Sequence, residues 1–328
     1  MYFTFLTITY NHENFIIQHL ESIKFQIENY GKNHEFQLII ADDHSKDNTI
    51  KESKKWLKNN AFLFKSITIL ENDQNLGTCK TYVKGVKNIN GDYFKDLAGD
   101  DLYACENIFE AVKLLEKYDI VSTPVAPFMD NKIYFDNKIF SRIYSMYKFT
   151  NTQYDKIKKN YISIPMTPGV FMKKELLTED VLSFISKYKF IEDRSKNIKL
   201  YENNEKLSIG RYEKILVLYR YHLNAVTKTT NNSVVNDFNI DSIRLYKYVN
   251  KNSSNILLKI NNSYNIHLSK IRNSKIRTIF NIGAWTYRLN FLLNYNKYKY
   301  DINEIINNSF VHNEKHLEFL SSEVYKNE

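Results

Sequence analysis

Residues 91–101 read GDYFKDLAGDD, and this stretch decides how the chain is read. A short run carrying Tyr93, Phe94 and Leu97 follows Gly91 and stops at Gly99, which is followed by Asp100 and Asp101. That is a strand with a polar end. The pattern recurs upstream. Tyr2–Thr9 is rich in β-branched and aromatic residues and ends in Thr9-Tyr10-Asn11, and Phe36–Ala41 ends in Asp42-Asp43. Ser66–Leu70 and Asp119–Thr123 read as further strands. Between them, Ile16, Leu20, Ile23 and Ile27 form a helical stripe. Ser45 and Asp47 are N-cap candidates for a second helix running to about Leu57. Val83, Val86 and Ile89, then Ile108, Val112 and Leu115, mark two more. Strands alternating with helices of this length predict an α/β domain with a largely parallel sheet. Ligands bind beyond the carboxyl ends of such strands, which is where these polar residues fall.

Composition bounds the alternatives. With 328 residues and 43% hydrophobic content the chain can build a large core. It has no apolar run long enough to span a membrane, and Tyr2–Thr9 reads as a strand rather than a secretory leader, so a cytoplasmic location is expected. Cys79 and Cys105 lack metal-ligand spacing and read as small buried residues. The net charge of +9 is concentrated late. Residues 241–300 hold eleven Lys or Arg against one acid, Asp241. Between about 125 and 225 the pattern loosens. Pro165, Pro168 and Gly169 punctuate a loop that enters a strand near Met172, and Ile215–His222 reads as another strand. An Asn/Ser/Thr stretch after Thr227 suggests a boundary, giving an expected catalytic domain at 1–227 and a basic helical extension at 228–328.

Adjacent carboxylates in a cleft repel unless a cation relieves them, and a hard ion such as Mn²⁺ or Mg²⁺ suits Asp100-Asp101 while leaving positions for a diphosphate. Glu192-Asp193, after the apolar Phe190-Ile191, are candidates for a general base. Taken singly, each acidic pair also fits an ordinary turn, helix cap or solvated loop.

The order of the pieces is more specific than any one of them. LTITYNHENF (6–15), IIADDHSKDNT (39–49), NDQNLGTCK (72–80), GDYFKDLAGDD (91–101), TPGVFMKKELL (167–177), IEDRS (191–195) and YRYH (219–222) together resemble family 2 glycosyltransferases. The resemblance implies a GT-A fold, with a helical C-terminal extension in this chain. It implies an inverting transfer of sugar from a nucleotide-diphosphate donor, expected to be UDP-linked, to a glycan hydroxyl. It implies that Thr9, Tyr10 and Asn11 lie against the nucleotide, that Asp43, with Asp42 beside it, reads the base, and that Asn75 and Gly77 form the turn near the donor. Asp100 and Asp101 match the DxD-type motif that holds metal and ribose. Ala98 replaces its first aspartate and leaves open which of the two binds the ion. Asp193, with Glu192 beside it, matches the acceptor base. Lys80 is a guess for the arginine many relatives carry, Arg220 is a candidate phosphate contact, and His222 is either a packed histidine or a ligand of metal or diphosphate.

Two rival readings remain at the sequence level. A sugar-nucleotidyltransferase should show a Gly-rich phosphate loop after the first strand, which Asn11-His12-Glu13 does not supply. A degenerate domain serving as a membrane or nucleic-acid binder has no reason to keep Asp43, Asp100, Asp101 and Asp193 together, and no nucleic-acid motif accompanies the basic segment. Within 270–300, Phe280, Trp285, Leu289 and Phe291 lie among Lys275, Arg277 and Arg288. This suits either a helix at an anionic membrane surface, close to a lipid-linked glycan acceptor, or a helix packed on the domain or in a homo-oligomer.

Overall fold

A computed structural model of the chain describes residues 1–134, 137–222, 232–271 and 279–327. The expected boundary at 227/228 and the basic residues Arg272, Lys275 and Arg277 lie outside the described residues. The central sheet has strands β1 (Tyr2–Thr9), β2 (Glu35–Asp42), β3 (Ser66–Glu71) and β4 (Tyr93–Ala98) in the order β3-β2-β1-β4, all parallel. The crossovers that parallel pairing demands are α1 (Ile16–Tyr30), α2 (Thr49–Asn60) and α3 (Thr78–Val86). Helix α2 runs past the expected Leu57 and starts after both cap candidates; Asp47 accepts the Thr49 N–H at 3.0 Å, and Ser45 belongs to the preceding loop.

Alternation in β1 explains the layers. Phe3 and Phe5 pack under α1 and α2 with Leu20, Ile23 and Trp56, while Leu6 faces the other way, toward Tyr82 and Val86 of α3. The polar residues between them are bonded: Thr4 Oγ1 donates to Gln37 at 2.8 Å, and Thr7 Oγ1 shares a hydrogen bond with His19 Nε2 at 2.8 Å. Buried hydroxyls with partners cost the core little.

Beyond β4 the chain adds β5 (Leu102–Tyr103), α4 (Phe109–Lys113), β6 (Ile120–Ser122), β7 (Val125–Met129) and β8 (Lys132–Ile133). Then come α5 (Asn137–Thr150), α6 (Tyr154–Asn160), β9 (Val170–Met172), α7 (Glu179–Ile185), α8 (Glu192–Asn203), β10 (Ile209–Arg211) and β11 (Val217–Arg220). Two small mixed sheets result, β10-β6-β9 and β5-β11-β7-β8. Short strands with long-range partners carry little local periodicity, which is why this region reads as irregular in the sequence.

The last third is helical: α9 (Asn232–Asn252), α10 (Ile256–Ser269) and α11 (Ile282–Asn327). Leu245 and Val249 of α9 enter the core beside Tyr82 and Tyr188. Ile302, Ile305, Leu317 and Leu320 of α11 pack with Phe128, Ile143 and Met146. The amino-terminal part of α11 overhangs, with Trp285, Leu289, Leu292 and Leu293 all more than half exposed. No helix among the described residues is long and apolar enough to cross a membrane.

Candidate active site

Parallel pairing brings the polar strand ends together. Thr9 is in register with Asp42, and Ile8 with Ala98. The β1–α1 turn is then laced to the β2–α2 loop. Asn11, at φ 55°, donates its N–H to Ser45 Oγ at 2.8 Å and accepts the Lys46 N–H on its side chain. The His12 N–H donates to Thr49 Oγ1 at 2.7 Å, and the Glu13 N–H to Asp47. Tyr10 stands exposed at the rim and Thr9 is buried.

Asp42 and Asp43 part company. Asp42 turns into its own loop and accepts the Ser45 N–H and hydroxyl, and burial pushes its carboxyl up. Asp43, also buried, accepts from Asn72 Nδ2 (3.1 Å), the Leu76 N–H (2.7 Å), the Gly77 N–H (2.9 Å) and Thr81 Oγ1 (2.9 Å). The carboxylate expected to read a base therefore also fastens the 75–77 turn. Asn75 adds a 3.4 Å bond to the Asp43 carbonyl. Gly77 has φ 87°, and a Cβ there would lie 2.3 Å from the Lys189 side chain. Only glycine fits that approach. Lys80 is exposed on α3, with no hydrogen bond or ion pair among the described residues.

Asp100 and Asp101 are also unlike. Asp101 is buried, and its Oδ1 accepts the Arg220 N–H at 2.9 Å. Burial first, then the neighbouring Asp100, raises its carboxyl well above the usual range. Asp100, whose side chain is 15% exposed, has its Oδ2 2.8 Å from His222 Nε2 and 3.8 Å from His12 Nε2. Burial alone would raise the Asp100 carboxyl, but the two imidazoles outweigh it and hold it at about 2. Gly99 makes room, since a Cβ there would meet His12 Nδ1 at 3.1 Å and Thr9 at 3.3 Å.

Arg220, the candidate phosphate contact, is held behind the aspartate turn. Its guanidinium lies between the rings of Phe15 and Phe128, at 4.8 and 4.4 Å, and donates to the Asp100 carbonyl and to Gln18. At 8% exposure, with burial lowering its pKa to about 10, it braces the aspartate turn from behind.

Glu192 and Asp193 occupy the first turn of α8, where acidic side chains complement the helix dipole. Thr167 Oγ1 donates to Asp193 Oδ2 at 3.4 Å. Burial, then the charge of Asp193, pushes the Glu192 carboxyl up to about 8. The segment before them is tied to the donor side, because the Cys79 N–H donates to the Lys189 carbonyl at 3.0 Å. From further along the chain, Asp241 of α9 accepts the Lys189 and Phe190 N–H groups at 2.6 and 3.0 Å.

Among the described residues no group of three His, Cys, Asp or Glu side chains stands close enough together to hold a metal ion as placed. Yet of the seven buried side-chain polar atoms without a partner there, three belong to Thr9, His12 and His222 around Asp100. Both imidazoles turn Nε2, and not the unpartnered Nδ1, toward Asp100. The donor chemistry, one carboxylate with imidazole beside it, fits a divalent cation.

Sequence reading missed His12, His19, Asn72, Thr81 and Asp241. His19 Nδ1 bonds the Asp101 carbonyl at 2.7 Å and so ties α1 to the aspartate turn. The one local signal was for His12, which directly follows the strand-end Asn11. The others act through partners far away in sequence.

A twisted parallel sheet, polar strand ends and a helical C-terminal region define a GT-A type nucleotide-diphospho-sugar transferase fold. The chain belongs to glycosyl transferase family 2, whose profile matches residues 4–179, and is a glycosyltransferase. Among solved structures it is similar to TarS 1-349 of S. aureus in complex with UDP-GlcNAc, with 18% identity, TM-score 0.59, and coverage of 88% of this chain and 79% of that one. The UDP complex of the same protein gives 18% identity and TM-score 0.56 over 84% and 73% of the two chains. The mannosyltransferase PcManGT from Pyrobaculum calidifontis, in complex with GDP-Man and Mn²⁺, gives 16% identity and TM-score 0.52 over 81% and 70%. At these identities the likeness is one of fold. A search of curated protein sequences gave no match.

Proposed function

We propose that the chain is an inverting, metal-dependent transferase that moves a sugar from a UDP-linked donor to a glycan hydroxyl. The observation that carries this reading is the Asp100–His222 pair at the carboxyl edge of the parallel sheet, amid buried polar atoms that lack partners. Thr9, Tyr10 and Asn11 line the nucleotide side, and the turn fastened by Asp43 shapes the base pocket. Asp100 and His222 hold Mn²⁺ or Mg²⁺, with Asp101 in support. When bound, the ion neutralises charge developing on the leaving diphosphate. Asp193 takes the acceptor proton as the hydroxyl oxygen attacks the anomeric carbon from the face opposite the diphosphate, which inverts that centre. Glu192, which keeps its own proton near neutral pH, supplies a hydrogen-bond donor beside it rather than a second charge.

The finer reading extends to the acceptor. Residues 1–227 do the chemistry, and the basic extension at 228–328 meets an anionic membrane at the cytoplasmic face. There a lipid-linked intermediate of surface polysaccharide or lipooligosaccharide is the acceptor. Support comes from the eleven basic residues in 241–300 and from the exposed Phe280, Trp285, Leu289 and Leu292. A thermal-shift screen of nucleotide diphosphates and their sugars tests the donor. UDP with Mn²⁺ should raise Tm, and EDTA should cancel the rise. A shift with GDP but not UDP would overturn the donor, and a UDP shift indifferent to EDTA would overturn the metal.

A further inference from the structure

The imidazole of His12 meets the Asp100 carboxylate alongside that of His222. Both rings present Nε2 to one atom, Asp100 Oδ2, at 2.8 Å for His222 and 3.8 Å for His12. In each ring Nδ1 is buried and without a partner among the described residues, and Nε2 is the nitrogen turned toward the carboxylate. An ion about 2.1 Å from each donor holds neighbouring donors about 3.0 Å apart in octahedral and about 3.4 Å in tetrahedral coordination. The two observed separations bracket those values, and His12 needs to close by less than about 1 Å. Its backbone is already fixed: the N–H is held by Thr49, and its carbonyl accepts the Phe15 and Ile16 N–H groups at 2.9 Å. Phe15 in turn packs on His222 with ring centroids 4.7 Å apart. The missing side chain at Gly99 leaves the space that His12 fills.

We infer that His12 is a protein ligand of the divalent ion, so that the site is His12–Asp100–His222 and favours nitrogen-binding transition ions over Mg²⁺. The inference rests on the metal reading above and sharpens it. Two imidazoles and one carboxylate suit Mn²⁺, Fe²⁺, Co²⁺ or Zn²⁺, whereas Mg²⁺ prefers oxygen donors and retained water. Asp101, buried on the Arg220 N–H, is left as support for the turn.

The full-length protein is titrated with Mn²⁺ in the presence of UDP, and pulsed electron paramagnetic resonance counts directly bound imidazole nitrogens. Two imidazoles are expected, falling to one in His12→Gln with affinity about 10- to 100-fold weaker, and Mg²⁺ should compete poorly. Asp100→Asn should abolish specific binding. One imidazole in the parent protein, unchanged in His12→Gln, would overturn the role of His12 while leaving the metal reading intact. Absence of Asp100-dependent binding would overturn both. The parent spectrum decides the ligand count even if His12→Gln folds poorly.

Discussion

Replacing Asp43 by alanine should damage the fold and the donor site together. The carboxylate receives four protein donors, and two of them, Asn72 Nδ2 and Thr81 Oγ1, also bond each other at 2.8 Å. Truncation therefore strands chiefly the Leu76 and Gly77 N–H groups. Each stranded bond to a charged acceptor costs about 1.5–3 kcal/mol, so the loss is about 3–6 kcal/mol. At about 2 °C per kcal/mol for a chain of this size, Tm should fall by about 6–12 °C. Asp43→Asn keeps one oxygen but turns an amide N–H₂ toward the Gly77 N–H, and should lose about half as much. Differential scanning fluorimetry reads the stability, and UDP titration of the same samples reads the site. An Asp43→Ala protein that melts within about 1 °C of the parent, yet no longer binds UDP, would refute the reasoning. The carboxylate would then act on the nucleotide alone.

Asp193→Asn should leave UDP affinity intact and lower turnover by about 10²- to 10⁴-fold, measured as sugar transferred at saturating donor; near-normal transfer would move the base role elsewhere. Because the Glu192 pKa is raised to about 8 from 4.5, the folded state holds a proton that the unfolded chain releases, and stability falls as pH rises through that window. Glu192→Gln should flatten this slope and raise Tm at pH 9 but not at pH 4; the full shift would correspond to about 5 kcal/mol, and partial exposure of the side chain reduces the expected gain to about 1–2 kcal/mol. Trp285→Ala combined with Leu292→Ser should reduce pelleting with phosphatidylglycerol vesicles without lowering Tm, since both side chains are exposed. Parent binding should weaken as salt rises, and a parent protein that stays in the supernatant at low salt would end the membrane reading.

The amino-terminal half was legible because its signals are local. The polar ends of β1, β2 and β4 follow directly on their apolar runs, and parallel pairing alone places them at one edge. Helix α1 announces itself through four isoleucine and leucine positions. Asp100 could not be told from Asp101 in the sequence, because what separates them is a backbone N–H from Arg220, far along the chain. The same distance hid the true place of Arg220, which depends on Phe15 and Phe128 closing around it. The two-residue strands β5 and β8 are too short to show any period. The two readings of residues 270–300, membrane surface or packed helix, could not be separated in the sequence, because periodicity does not tell that Phe291 packs on Tyr144 while Trp285, Leu289 and Leu292 are exposed. The carboxyl-terminal part of α11 is core, while its amino-terminal turns overhang.

The contacts made by that long helix bear on how the protein is made. Ser321 accepts a hydrogen bond from Gln18 at 3.0 Å, and Gln18 also accepts from Arg220 behind the aspartate turn. Asn313 accepts the Cys105 N–H at 3.0 Å, and His316 bonds the Tyr103 carbonyl at 3.2 Å. During synthesis the amino-terminal sheet emerges first and can pair its strands while the rest is still being translated. Arg220, which braces the aspartate turn, is tied through Gln18 to Ser321 of the long helix, far along the chain. A nascent chain can thus hold a folded sheet before the helix that supports the aspartate turn has been made.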